Sequence, residues 1–134
     1  MEKPPLVHFS SPTPLADRLC PYVTRRAMFV RFDGRVAPCM YYAHRWRFAL
    51  YGIEREIKPV LFGDLSRSSV AEVWSSRQYL EFRYRTYFAR YPSCITCRLA
   101  PYCSYTLTNE FDCLGYTPTC AHCPYIHGIA SCPI

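Results

Sequence analysis

The sequence predicts a small, cysteine-rich α+β domain that combines one β-hairpin, one or two short helices and a loop-rich C-terminal half. Its 134 residues allow a single core, and 50% hydrophobic against 19% charged residues is a globular composition. An Asp-Gly pair stands between two β-prone segments, and a capped helical pattern follows further along. Seven of the nine cysteines fall between Cys94 and Cys132, a segment with few apolar residues besides tyrosines. This half is therefore expected to depend on its cysteines for order.

The first 14 residues are expected to form an extended tail or linker, because they contain four prolines and no periodic apolar pattern. The folded domain is expected over residues 15–134. Residues 27–32 and 35–37 are predicted strands, and Asp33-Gly34 is predicted to be a two-residue hairpin loop between them. Residues 40–59 are rich in Tyr, Arg and Trp without a clear period, so a short helix and an irregular loop both remain open.

A helix is predicted to begin at Val70, because Ser69 and Glu72 have the spacing of a capping box. Val70, Val73 and Trp74 would then share its inner face. The serines that follow Trp74 offer a break in the helix and a second cap.

A second helix is predicted from Gln78 to about Arg85. Tyr79 and Phe82 lie three residues apart and should pack inward. The arginines of this stretch are expected to face solvent: Arg77, Arg83 and Arg85.

The cysteines are predicted to bind metal rather than to form disulfides. Nine is an odd number, and the N-terminal segment is too polar and proline-rich for a signal peptide, so a cytoplasmic location is expected. Two chelating patterns, C-x2-C-x5-C and C-x6-C-x2-C-x8-C, support metal binding. The candidate ligands are Cys20, Cys39, Cys94, Cys97, Cys103, Cys113, Cys120, Cys123 and Cys132. Zinc and iron-sulfur clusters both use such thiolates, so spacing alone leaves both open.

The spacing C-x13-G-x4-C over residues 20–39, followed by C-x2-C-x5-C over residues 94–103, resembles the SPASM domain, an auxiliary iron-sulfur extension of radical SAM maturases. Residues 62–83 also resemble the strand and helix that this family places between its cysteine blocks. The resemblance implies two iron-sulfur clusters of the 4Fe-4S type, which would order the C-terminal half.

The resemblance also implies how the cysteines divide between the two clusters. The family has a further cysteine four residues after the C-x2-C-x5-C triplet; that position here is Leu107, and Cys113 is expected to take its role. The first cluster would be held by Cys20, Cys39 and Cys113, with Cys123, Cys132 or an open position as the fourth ligand. The second would be held by Cys94, Cys97 and Cys103 with Cys120 or Cys123. Cys132 is the expected spare.

The last part of the chain, residues 108–133, is similar to the maturases associated with tungsten-containing aldehyde ferredoxin oxidoreductases. This resemblance implies an electron-relay or substrate-anchoring domain, with a radical SAM core or a maturation target protein as partner. The net charge of +6 would suit an acidic electron-transfer protein such as a ferredoxin. No three cysteines have the C-x3-C-x2-C spacing of a radical SAM core, so no catalysis is expected from this sequence alone. The alternative is a zinc-binding structural or protein-interaction module.

Membrane and nucleic-acid functions are not expected. The sequence has no run of about 18 apolar residues. Its 12 tyrosines and positive charge would suit base stacking, but no stripe of Lys and Arg accompanies the tyrosines. His122 and His127 are expected to be loop residues or hydrogen-bond donors near the cysteines rather than ligands. The aspartates are expected in turns or caps: Asp33, Asp64 and Asp112.

Overall fold

The computed structural model describes residues 18–134, so the predicted tail over residues 1–14 lies outside the described residues. In chain order the elements are helix α1 (Pro21–Thr24), strands β1 (Phe29–Val30), β2 (Arg35–Ala37), β3 (Trp46–Leu50), β4 (Ile53–Ile57) and β5 (Gly63–Asp64), and helices α2 (Val70–Trp74) and α3 (Arg77–Tyr87). Short 3₁₀ helices cover Met40–Tyr42, Ala100–Tyr102 and Ser104–Leu107. This mixture of short helices and antiparallel strands confirms the predicted α+β class.

The predicted hairpin is present, and its loop is one residue longer than predicted. Strands β1 and β2 are antiparallel with Val30 opposite Val36, and β5 pairs with the other edge of β2. The Arg31 N–H donates to the Arg35 carbonyl (2.9 Å), which leaves three residues to make the turn. Gly34 ends this turn at φ 82°, a left-handed conformation that glycine adopts without strain.

Between residues 40 and 59, a short 3₁₀ helix leads into a second β-hairpin, which neither of the two alternatives predicted. Strands β3 and β4 pair in register, with Trp46 opposite Ile57 at the open end. Tyr51 and Gly52 both have positive φ, 52° and 76°, as a two-residue type I′ turn requires. The sequence signal for this hairpin is incomplete, because Ala49 and Arg55 interrupt the alternation of apolar and polar residues along the two strands.

Helix α2 begins as predicted, with a capping box. The Ser69 hydroxyl accepts a hydrogen bond from the Glu72 N–H (3.2 Å), and the Glu72 carboxylate accepts one from the Ser69 N–H (2.7 Å). Val73 is buried, whereas Val70 is 55% exposed, so the inward position predicted for Val70 is wrong. Because α2 makes little more than one turn, only Val73 and Trp74 reach the core.

Strand β5 lies close to α2 because Gly63 has no side chain. A Cβ atom at this position would lie 2.5 Å from Cγ2 of Val73, closer than two carbon atoms can approach. The glycine thus permits the strand and the helix to pack directly.

Helix α3 carries the predicted inward residues. Tyr79 and Phe82 are both buried, and Phe62 stacks on Tyr79 with ring centres 4.7 Å apart. Of the three arginines that were predicted to face solvent, only Arg77 does so fully, and its side chain is 90% exposed.

The other two arginines pack on aromatic rings. The Arg83 guanidinium lies 3.7 Å from the centre of the Trp74 ring, and that of Arg85 lies 4.9 Å from the centre of Tyr116. Arginine stacks well on aromatic faces, and this attraction outweighs full solvation at a half-buried site.

The segment after Pro92 is loop-rich, as predicted. Residues 93–134 contain 3₁₀ turns but no α-helix or multi-residue strand. Backbone hydrogen bonds tie these loops together, such as the one from Thr119 N–H to the Asn109 carbonyl (3.0 Å). Among residues 18–134, no helix is long and apolar enough to cross a membrane.

Candidate metal centres

Four thiols from distant parts of the chain line one cavity. They are Cys20, Cys39, Cys120 and Cys123. Cys20 stands at the N-terminus of α1, and Cys39 directly precedes the 3₁₀ helix Met40–Tyr42. A neighbouring cavity shares three of these thiols and has Cys132 as its fourth. The fold thus brings five cysteines, separated by up to 112 positions (132 − 20) along the chain, to two neighbouring cavities.

Burial keeps the thiols of this first group neutral in the absence of a bound cation. Burial, and then the charges of neighbouring cysteines, raise the pKa of Cys39 and Cys123 well above the usual value. Burial raises the pKa of Cys120 to about 12. Thiols in this environment lose their protons only when a positive charge compensates them, as a bound metal does.

Hydrogen-bond donors surround the sulfurs of the first group. Burial raises the pKa of Cys20, and the backbone N–H groups of Val23 and Tyr22 offset part of that rise. The Thr86 hydroxyl oxygen lies 3.8 Å from the sulfur of Cys120. Donors of this kind stabilise negative charge on sulfur and are typical of iron-sulfur sites.

The second group consists of Cys94, Cys97, Cys103 and Cys113. Burial, and then the charges of Cys113, Cys103 and Cys97, raise the pKa of Cys94 to about 11. Cys94 is buried, whereas Cys97 and Cys113 are exposed, so this group opens to solvent on one side.

This grouping differs from the one that the family resemblance implies. Cys113 lies with the triplet of Cys94, and Cys120 and Cys123 lie with Cys39. The turn after Asp112 explains the position of Cys113: the Asp112 carboxylate accepts hydrogen bonds from backbone N–H groups at 114 and 116, at 2.9 and 3.1 Å. This turn also confirms the predicted role of Asp112.

The two histidines near the thiols hold loops in place. His122 Nε2 lies 2.8 Å from the Thr108 carbonyl and so carries a proton, while its Nδ1 lies 3.3 Å from the Tyr41 hydroxyl. Burial lowers the pKa of His122 to about 4. His127 Nδ1 donates to the Cys123 carbonyl (2.8 Å). Both histidines therefore act as the predicted loop and supporting residues.

The arrangement of the thiols suits a cluster of several metal and sulfide atoms better than a single metal ion. Within residues 18–134, no three His, Cys, Asp or Glu side chains converge closely enough to hold a single metal ion. The thiols of the first group instead line the walls of a cavity, together with Tyr79 and Arg83. The Tyr79 hydroxyl and Arg83 Nε are both buried without a hydrogen-bond partner among the described residues. Thiols with spare hydrogen-bond donors nearby are the ligand chemistry that an iron-sulfur cluster uses.

The cysteine arrangement agrees with a family match. The SPASM family, an iron-sulfur cluster-binding domain, matches residues 20–98. This range is more than half of the chain, and the chain belongs to that family. The match confirms the resemblance predicted from the cysteine spacing.

A curated relative is the tungsten-containing aldehyde ferredoxin oxidoreductase cofactor-modifying protein of Pyrococcus furiosus. It is 35% identical over 118 residues, which cover 88% of this chain and 33% of the relative. The chain therefore spans about a third of the length of that relative. No solved structure matches the chain.

Several residues around the thiols were not predicted from the sequence. Thr86 and Tyr79 carry no motif that would connect them to a cysteine. Arg55 is buried, although a charged residue between two glutamates indicates an exposed position. The only signal for it is the strand alternation, which puts Arg55 on the same face as Ile53 and Ile57.

Proposed function

We propose that the chain binds two 4Fe-4S clusters and acts as the electron-relaying auxiliary domain of a radical SAM maturation system. One observation carries this proposal: four thiols line one cavity, and three others lie within electrostatic reach of Cys94. Four thiolates are the usual ligand set of such a cluster. The first cluster would be held by Cys20, Cys39, Cys120 and Cys123, and the second by Cys94, Cys97, Cys103 and Cys113.

The choice of Cys120 over Cys132 as the fourth ligand of the first cluster rests on burial. Cys120 is buried and has the Thr86 hydroxyl beside its sulfur. Cys132 is partly exposed and lines only the neighbouring cavity. Cys132 is therefore the proposed spare thiol.

The relay role is supported by how close the two groups are. The Cys94 N–H donates to the carbonyl of Ala121, which directly follows Cys120, at 2.9 Å. Bound clusters supply one-electron transfer, and this chain would hold them side by side. Because Cys97 and Cys113 are exposed, the second group offers the route to an external partner.

The partners follow from the relative and from charge. The relative is named for modifying the cofactor of a tungsten-containing aldehyde ferredoxin oxidoreductase. We propose a similar target for this chain, together with a radical SAM core supplied in the same or a separate polypeptide. The net charge of +6 supports association with an acidic, ferredoxin-like electron carrier.

Iron and sulfide analysis of the full chain after anaerobic reconstitution tests the proposal. We expect about eight iron and eight sulfide ions per chain and a brown protein with broad visible absorption. A colourless protein that binds zinc without sulfide would overturn the proposal and support a structural zinc module. The Cys132→Ser variant is the matched control and should retain the full iron content.

A further inference from the structure

Arg55 is a buried charge. It lies in strand β4, and its residue is 1% exposed, the largest fully buried side chain among the described residues. Arginine is almost never fully buried without an anionic partner, because removing its charge from water costs several kcal/mol. Among residues 18–134, however, no carboxylate forms an ion pair with Arg55.

The polar contacts of Arg55 are few and long. One terminal nitrogen donates to the carbonyls of Leu50 (3.3 Å) and Ile53 (3.5 Å), and the other to the Thr106 hydroxyl (3.4 Å). The Nε atom has no partner among the described residues. The Phe48 ring centre lies 5.9 Å from the guanidinium carbon. None of these contacts supplies negative charge.

The position of Arg55 in the fold indicates which anionic group could balance its charge. Thr106, which it contacts, lies in the 3₁₀ helix that begins directly after Cys103. Burial lowers the pKa of Arg55, and negative charge at Tyr41 or Cys94 would raise it, so both groups lie within electrostatic reach. Through Thr106, Arg55 contacts the segment that directly follows Cys103, a member of the second thiol group.

We propose that Arg55 is the built-in counter-charge of the second cluster site. A 4Fe-4S cluster with four thiolates is an anion, and its negative charge grows by one on reduction. A fixed positive charge within the protein would hold the oxidised cluster and stabilise the reduced one further. This inference rests on the proposed function, and it makes Arg55 a positioning and potential-setting residue rather than a ligand.

The test compares substitutions on one hairpin, in the full reconstituted chain. Arg55→Met removes the charge but keeps a long side chain, and Arg55→Lys keeps the charge. Arg47→Met is the matched control, because the Arg47 side chain is 69% exposed and pairs with Glu54 at 3.7 Å on the same hairpin. The measured quantities are the two midpoint potentials by spectroelectrochemical titration and the stability of the metal-free chain.

In Arg55→Met we expect the equilibrium constant for reducing the second cluster to fall about tenfold, or 59 mV for a one-electron couple. The second cluster is identified as the one that Cys97→Ser loses. Arg55→Lys and Arg47→Met should keep the equilibrium constants for reducing both clusters within about twofold of the wild-type values. Metal-free Arg55→Met should be as stable as the metal-free wild type, because the C-terminal loops that cover Arg55 are expected to unfold when the metal is removed.

Unchanged potentials in Arg55→Met would overturn the inference, and so would a metal-free Arg55→Met chain that is less stable than the wild type. The second result would show that Arg55 serves the protein fold itself. Failure of the wild type to take up iron is a different outcome, since it would contradict the proposed function before Arg55 is tested.

Discussion

The hydroxyl oxygen of Thr86 lies 3.8 Å from the sulfur of Cys120, near the C-terminal end of helix α3. Both residues are buried, so water does not compete for this contact. The helix whose inner face is built from Tyr79 and Phe82 thus also presents a hydrogen-bond donor to a proposed cluster ligand. One element of the fold serves both the core and the site.

Replacing Thr86 by Val should make the first cluster harder to reduce. The valine has nearly the same shape but cannot donate to sulfur, so the equilibrium constant for reduction should fall by roughly three- to tenfold, up to about 59 mV. Spectroelectrochemical titration measures this change. Ser75→Ala is the control, because it removes an exposed hydroxyl that donates to the Ala71 carbonyl of α2. An unchanged potential in a fully loaded Thr86→Val protein would disprove the tuning role.

Cys113→Ser should behave like Cys97→Ser and unlike Cys39→Ser. We expect the first two variants to lose the same cluster and about half of the iron, and Cys39→Ser to lose the other cluster. Electron paramagnetic resonance of the reduced proteins distinguishes the two remaining signals. If Cys113→Ser and Cys39→Ser lost the same signal, the division implied by the family resemblance would hold instead of the observed grouping.

Removing the metal should unfold the C-terminal half selectively. Residues 93–134 lack α-helices and multi-residue strands, so metal–sulfur bonds would supply much of their order. Hydrogen exchange after chelation should show lost protection there, while the β3–β4 hairpin and helix α3 keep theirs. Full protection of residues 93–134 in the metal-free chain would contradict this account.

Gly63→Ala should destabilise the chain through one contact. The new methyl group would meet Cγ2 of Val73, so we expect the free energy of unfolding to fall by about 1–3 kcal/mol. Chemical denaturation of the metal-free protein measures the loss. Val73→Ala makes room for the methyl group, so the double variant should lose about 1 kcal/mol less than the sum of the single variants. Strict additivity would show that the strain arises elsewhere.

The sequence alone determined the features that depend on residues close together in the chain. The capping box joins Ser69 and Glu72, three positions apart, and their hydrogen bonds need only local backbone geometry. The Asp-Gly turn and the chelating cysteine pairs could be predicted from short spacings in the same way. The cysteine spacings also carried the resemblance to the family. The β3–β4 hairpin had a weaker local signal, because Ala49 and Arg55 interrupt the alternation along its strands.

Only the tertiary structure decided which distant residues meet. Cys113 follows the C-x2-C-x5-C triplet by ten positions (113 − 103), and Cys120 follows it by 17 (120 − 103). No local sequence pattern determines which of these two cysteines folds back toward the triplet. The Asp112 turn and the pairing of Thr119 with Asn109 set the path of that loop. The burial of Arg55 could not be predicted from the sequence either, because a charged residue between two glutamates is expected to be exposed to water. Its burial follows from the packing of β4 against the C-terminal loops, a contact that exists only once the whole domain has closed.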